Sequence, residues 1–363
     1  MTKFGTRTLI GFPLSTWGAN VVPPVNYGKN IGYIVGGSFS ANLNTGGPTR
    51  WNSGGIDGPW IQRYSFLSET FTTVSSPALT AAIYHAPGVS DAGTKGFTFG
   101  CQTYPGVDQR VHKLDFVTEV VTYLAGTCVE HGVGGGIGWG NKAVAGYRVG
   151  GLSTFTWTTS IEKINFATET LLGNVASFTA GQGAYGGGPM GICASNSGVN
   201  GYSCQGYSGP GNQNANTLFK MAFSTDTVTN IGGATQYGWQ GPAATLNNQG
   251  VAGYASGGYQ ERWGGSNNDT HVAKIAFATD TYTHLGSGNL AALVAYTGAG
   301  LSNTGTNGCW RSAVSDDPNY QYADIAYQSS STYTFATETG YLNANSYLGR
   351  VAGPGSSLSN DGN

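Results

Sequence analysis

The sequence predicts an all-β chain, six copies of a four-stranded antiparallel unit set side by side as the blades of a propeller. Three observations carry that expectation. One eight-residue phrase recurs six times at intervals of 50 to 58 residues. A second marker, Gly followed by an aromatic, precedes five of the six copies. The 363 residues include 60 Gly and 12% aromatics but only 9% charged side chains, a composition that fits short strands and tight turns.

The six phrases are RYSFLSET, KLDFVTEV, KINFATET, KMAFSTDT, KIAFATDT and TYTFATET, centred on Phe66, Phe116, Phe166, Phe223, Phe277 and Phe335. Three residues after each Phe stands an acid: Glu69, Glu119, Glu169, Asp226, Asp280 and Glu338. In five copies a base stands three residues before it: Arg63, Lys113, Lys163, Lys220 and Lys274. In KIAF the side chains alternate, Ile275 and Phe277 to one face, Lys274 and Ala276 to the other, which is the period of a strand. The Ser/Thr-acid pair that follows predicts a turn, because short oxygen-bearing side chains hydrogen-bond a turn's own amides. Six equivalent carboxylates in six equivalent turns do one structural job.

The markers are GYIVGG at 32, GFTFGC at 96, GYRVGG at 146, GYSCQG at 201 and GYASGG at 253, with a degraded GCWRSA at 308. Glycine there predicts a strand against which a neighbouring unit packs closely. A period near 50 residues is room for four short strands, and such a unit needs a neighbour like itself to bury its faces.

From each Phe to the next marker the distances are 30, 30, 35, 30 and 31 residues. Counting on from Phe335 reaches the chain end, where SSLSNDGN resembles the approach to other markers. The expectation is a six-membered ring closed by strand complementation between the chain termini, with no open edge. Asn26–Ile31 competes with the C-terminal strand for the closing place. Residues 26–363 form the ring, and residues 1–25, with Phe12, Trp17, Pro23 and Pro24, form an arm. The arm lies across its own ring or docks on an adjacent subunit.

Net charge is −2, with no run of Lys or Arg, so neither nucleic acid nor anionic lipid is an expected partner. No stretch reaches the roughly 18 apolar residues of a membrane span. The N-terminal segment, broken by Pro13, Ser15 and Thr16, makes a poor secretory signal. Cysteines 101, 128, 193, 204 and 309 are odd in number and show no CxxC spacing, so they read as buried free thiols of a chain made in a reducing cytoplasm.

No catalytic residues, metal or cofactor are expected. The histidines 85, 112, 131, 271 and 284 lack HExxH or HxH spacing, and no GxSxG or GxxxxGK[ST] occurs. A calcium ring at the turn acids lacks the DxDxDG loop. Binding has better support. From marker to Phe the lengths are 34, 20, 20, 22, 24 and 27, while the rest of each repeat stays near 30. Variation is thus concentrated in one connection per blade, and equivalent connections emerge on one face. These connections carry Trp51, Trp60, Tyr104, Trp157, Tyr259, Trp263, Tyr320 and Tyr322, the candidate ligand-binding residues. Aromatics beside Asn, Asp, Gln and Arg suit sugar faces or a protein partner. Any one of them would equally serve to cap a blade end.

The Gly-doublet blade resembles kelch-type repeats over about residues 30–363, although the Tyr and Trp usual after the doublet do not recur in register. The Phe-Ala-Thr-Asp/Glu-Thr phrase resembles repeat proteins of tailed phages of aquatic bacteria, cyanophages especially. That resemblance implies a non-enzymatic virion component, such as a tail, fibre or decoration protein. It would be made in the host cytoplasm and present in several copies, contacting other virion subunits and a host surface glycan or receptor. A carbohydrate-binding, lectin-like propeller is the first alternative, and a propeller oxidase or hydrolase the second.

Overall fold

The computed structural model describes residues 31–35, 61–68, 70–74, 87–91, 93–103, 106–128, 137–153, 156–178, 193–196, 198–204, 218–232, 244–248, 250–256, 259–262, 265–268, 272–284, 299–303, 307–311, 325–329, 334–338 and 356–359. These residues form strands and turns and no helix.

Six sheets of four antiparallel strands follow one another along the chain. Sheet 1 takes β1 (Ile31–Val35), β2 (Ile61–Ser65) and β3 (Thr70–Thr73). Sheet 2 is β4 (Gly88–Ser90), β5 (Lys95–Thr103), β6 (Gly106–Asp115) and β7 (Val121–Thr127). Sheet 3 is β8 (Ile137–Asn141), β9 (Ala145–Ser153), β10 (Thr156–Asn165) and β11 (Thr170–Ser177). Sheet 4 is β12 (Cys193–Asn196), β13 (Asn200–Cys204), β14 (Leu218–Ala222) and β15 (Thr227–Gly232). Sheet 5 begins β16 (Ala244–Asn248), β17 (Ala252–Ser256), then interposes a separate hairpin of β18 (Tyr259–Arg262) and β19 (Gly265–Asn268), and ends β20 (Val272–Ala276), β21 (Thr281–His284). Sheet 6 is β22 (Ala299–Asn303), β23 (Asn307–Arg311), β24 (Ile325–Ser329) and β25 (Thr334–Glu338). Last, β26 (Ser356–Ser359) pairs antiparallel with β1, Gly32 opposite Ser359 through Val35 opposite Ser356, and completes sheet 1. The C-terminal strand therefore takes the place for which Asn26–Ile31 competed; Ile31 itself opens β1, and residues 1–30, the expected arm included, lie outside the described residues.

The first strands of successive sheets touch: β4 lies against β8 and β26, β12 against β8 and β16, and β22 against β16 and β26. The core accordingly sits between sheets. One cluster joins Val89, Phe97 and Phe99 of sheet 2 to Ile164 and Phe166 of sheet 3. Another joins Trp139, Tyr147 and Val149 of sheet 3 to Phe219, Met221 and Phe223 of sheet 4. Tyr202 and Leu218 of sheet 4 meet Ala273, Ile275 and Phe277 of sheet 5 in a third. Each sheet's apolar side chains are buried only because the next sheet covers them.

The marker glycines lie on the second strands, each opposite the residue two before the Phe: Gly96 with Leu114, Gly146 with Ile164, Gly201 with Met221, Gly253 with Ile275. The close approach they permit is real. A Cβ on Gly146 would collide with Val89 of sheet 2, and one on Gly201 would stand 2.5 Å from the Trp139 indole of sheet 3.

The sixth copy departs from the expected pattern. In the first five sheets the octet's Phe directly follows the third strand, whereas Phe335 and Glu338 lie inside the fourth strand, β25, opposite Gln328 and Ile325. Gly308 faces Gln328, whereas in the other sheets the marker glycine faces the residue two before the Phe. The repeated letters here fall on a different strand, because pairing is set by the whole sheet and not by one phrase. Glu338 is thus a strand residue and not a turn acid.

Candidate functional site

The turn between third and fourth strands is where the octet does its work, and its geometry is not the one expected. The turn amides are served by the residue before the Phe: Asp115 Oδ1 accepts from the amides of Val117 (3.0 Å) and Thr118 (2.7 Å), and Asn165 Oδ1 from those of Ala167 (2.9 Å) and Thr168 (3.0 Å). The Phe amide reaches back within its own sheet, Phe166 to the Val144 carbonyl (3.1 Å), Phe223 to Val199 (3.0 Å), Phe277 to Val251 (3.0 Å). The acid that follows sits in the left-handed region, with φ of 56° at Glu119, 54° at Glu169, 53° at Asp226 and 55° at Asp280. That conformation costs a non-glycine residue roughly 1–2 kcal/mol. It aims the carboxylate across to the preceding sheet.

There each carboxylate closes a latch. Asp226 accepts from the Tyr147 hydroxyl (2.7 Å) and from Lys163 Nζ (2.8 Å), both of sheet 3. Asp280 accepts from Tyr202 (2.6 Å) and Lys220 (2.6 Å) of sheet 4. Glu119 accepts from Tyr33 (3.1 Å) and Arg63 (2.9 Å) of sheet 1. The same tyrosine lies flat on the next sheet's Phe, Tyr33 on Phe116 at 5.0 Å, Tyr147 on Phe223 at 5.0 Å and Tyr202 on Phe277 at 5.3 Å between centroids. Base, marker tyrosine, Phe and acid are four parts of one contact.

Sheet 2 tests the rule. Its marker aromatic is Phe97, which stacks on Phe166 at 5.4 Å but has no hydroxyl. Lys95, two residues upstream, takes the vacant role, so Glu169 accepts from both Lys95 Nζ and Lys113 Nζ at 2.7 Å. In sheet 1 the Phe66 ring meets Tyr64 of its own sheet edge-on at 5.0 Å, and the preceding marker, Gly308–Cys309, offers no aromatic. Glu69 lies outside the described residues.

Electrostatics follow from the latch. Bonds from Lys113 and Lys95 hold Glu169 below its ordinary 4.5. Burial pushes Asp280 up, but bonds from Lys220 and Tyr202 more than offset it and leave the group below 3.8. Burial, then the bond to the carboxylate, drives the Tyr147 and Tyr202 hydroxyls well above the usual phenol range, so both remain donors. The unfolded chain binds the Glu169 and Asp280 protons more readily than the folded one, so stability is present above the ordinary carboxylate range and is lost as pH falls through the folded values. Melting temperature should hold from neutral pH to about 5 and fall below that, more steeply than for Glu169→Gln/Asp280→Asn, measured in the same buffers.

Each latch is small, since its side chains keep 17–31% exposure: about 0.5–1 kcal/mol for the ion pair and about 0.5–1.5 for the stacked rings. Tyr147→Phe keeps the ring and removes the hydroxyl. It should cost about 1 kcal/mol by urea titration, and Lys163→Met a similar amount; no change in either would show the latch to be ornamental.

A second polar contact is fully buried. Arg148 of β9 donates to Glu162 of β10 (2.5 Å) and to the Gly150 carbonyl (2.5 Å). Burial lowers the Arg148 pKa against the pull of Glu162, and burial likewise pushes the nearby Cys128 thiol of sheet 2 up to about 11, an unreactive state. Cys128 is a free, buried thiol, as expected. The equivalent positions of sheet 1 are Ile34 and Gln62, which also pair. Glu162→Gln should therefore cost about 3 kcal/mol by leaving a guanidinium unpaired, and Arg148→Ile added to it should recover much of the loss; chemical denaturation reads both.

The variable connection runs from second to third strand, at the opposite end of each sheet. In sheets 2 and 3 it is a tight hairpin, Thr103 opposite Gly106 and Ser153 opposite Thr156. In sheet 5 it holds the extra hairpin β18–β19. Of the candidate ligand-binding aromatics, Trp157 lies on β10 opposite Leu152, and Tyr259 on β18 opposite Asn268. Trp51, Trp60, Tyr104, Trp263, Tyr320 and Tyr322 lie outside the described residues.

No protein-family model matches the chain, and no curated protein matches it. Among solved structures the chain is similar to one titled "Structure of YjhT", at 11% sequence identity and a TM-score of 0.56, over 78% of this chain and 92% of that one. At this identity the likeness is one of fold alone.

Proposed function

We propose that the chain is a six-bladed, kelch-like β-propeller serving as a non-enzymatic structural component of a phage virion, in a tail, fibre or decoration position. The order of touching first strands, β26, β4, β8, β12, β16, β22 and back to β26, supports the closed ring. The observation that carries the scaffold reading is the latch. The side chains that recur from sheet to sheet are committed to sheet-to-sheet contacts, which leaves one connection per blade to differ and to meet a partner. The virion assignment rests on the likeness of the Phe-Ala-Thr-Asp/Glu-Thr phrase. Mass spectrometry of density-purified phage particles should return the chain in several copies per particle; its absence from particles would overturn the assignment.

Trp157 and Tyr259, on hairpin strands at the variable end, favour a second reading, a lectin-like propeller. A glycan array separates the two. Micromolar sugar binding that Trp157→Ala or Tyr259→Ala abolishes, without incorporation into particles, would favour the lectin.

A further inference from the structure

Sheet 6 differs from the others at both of its seams. In the first five sheets the marker aromatic stands opposite the base of the third strand, as Tyr33 does Arg63, Tyr147 does Lys163 and Tyr202 does Lys220. In sheet 6 the same place holds Cys309 opposite Tyr327, so the marker strand brings no ring and the third strand no base to the seam with sheet 1. At the seam with sheet 5 the pair is in place, Tyr254 opposite Lys274. There the acid is missing. The connection from β24 to β25 reads Ser330, Ser331, Thr332 and Tyr333, without a carboxylate, because the register carries Glu338 into β25 opposite Ile325. The four seams between sheets 1 and 5 each have their acid, in Glu119, Glu169, Asp226 and Asp280.

We propose that sheet 6 is the opening unit of the molecule: its four strands part together from sheets 5 and 1 while sheets 2 to 4 stay folded. The inference rests on the order in which the sheets touch and on the latch, and not on the virion assignment. Native proteins open in cooperative units, and the unit that opens first is the one with the fewest contacts to break. Any sheet loses packing when it leaves its neighbours. Sheets 2, 3 and 4 each break two latches in addition, sheets 1 and 5 one, and sheet 6 none of this kind. Its departure separates β22 from β16 on one side and from β26 on the other. The order of lability is therefore sheet 6 first, sheets 1 and 5 next, and sheets 2 to 4 last. A run of sheets that would otherwise be uniform thus has one place where it can open without unfolding.

Native-state hydrogen exchange of the full chain, read by mass spectrometry at low urea, tests this. The β23–β24 and β13–β14 ladders are matched, with five residue pairs each, so their amides are compared directly. Those of β23 and β24 should exchange at least about thirtyfold faster, the factor that two latches supply. Equal protection of the two ladders would overturn the proposal. Asp280→Asn supplies the second reading, because it cuts the latch between sheets 4 and 5. It should speed exchange in β17 and β20 several-fold and leave β23 and β24 at their wild-type rate, since that latch holds whether sheet 6 is open or closed. An equal rise in β23 and β24 would mean that sheet 6 opens only when the whole chain unfolds, and would equally overturn the proposal. Neither measurement bears on the virion reading, which is decided on particles.

Discussion

Gly201→Ala is expected to lower the stability of the chain by about 3 kcal/mol, the upper end of what one added methyl costs in a packed core. The added carbon would stand 2.5 to 2.8 Å from three atoms of the Trp139 indole. That ring is fully buried and its Nε1 donates to the Tyr202 carbonyl at 2.9 Å, so it cannot yield without losing a bond. Tyr202 in turn stacks on Phe277 and donates to Asp280, so a shift of the β13 backbone strains the interface to sheet 5 as well as that to sheet 3. Gly173 is the control. It has a φ of +73° and open space around its missing Cβ, so Gly173→Ala should cost only the left-handed backbone term, about 1 kcal/mol. Urea midpoints of the two variants decide the matter. Equal losses would mean that close packing between sheets is not what the marker glycine supplies.

The strands were legible because their signals are local. Alternation in KIAF, the glycine on each second strand, and the near-50-residue spacing all report constraints within one unit or its immediate neighbour. The C-terminal strand was placed by counting, and β26 does pair with β1. The sixth octet misled for a physical reason. Its letters match the others, but the Gly308 strand pairs with β24 in a register that puts Phe335 in the fourth strand. A phrase specifies a strand only when the pairing around it agrees.

The latch was half legible. The co-occurrence of base and acid was on the page, and so was the recurring Tyr of the marker, yet their meeting is a contact between residues 56 to 86 positions apart, such as Lys113 with Glu169 and Tyr33 with Glu119. The clue was the exception. The one intact marker with Phe in place of Tyr, at 97, is also the one with a Lys two residues upstream. The acids read as turn formers because their turn is real; their outward aim depends on a positive φ that no residue preference for Glu announces. The Arg148–Glu162 pair carried no signal, since its positions change from sheet to sheet.

Deleting residues 356–363 should lower the melting temperature by about 5–10 °C and promote aggregation. Four residue pairs hold β26 to β1, Gly32 with Ser359 through Val35 with Ser356. At about 0.5–1.5 kcal/mol for each net backbone bond, their loss amounts to several kcal/mol. The deletion does more than remove bonds. It bares the β1 edge, an open row of amides and carbonyls ready to pair with another chain. It also removes the strand that lies against both β4 and β22, so Tyr33, Ile34 and Val35, each no more than 2% exposed, lose part of their cover. Tyr33 carries the latch to Glu119 and Phe116, which ties the loss at one seam to the interface on the far side of sheet 1. A synthetic SSLSNDGN peptide added to the truncated chain should restore part of the lost stability, because the slot is a preformed strand edge. A truncated chain that melts where the full chain does, and ignores the peptide, would show that another segment closes sheet 1.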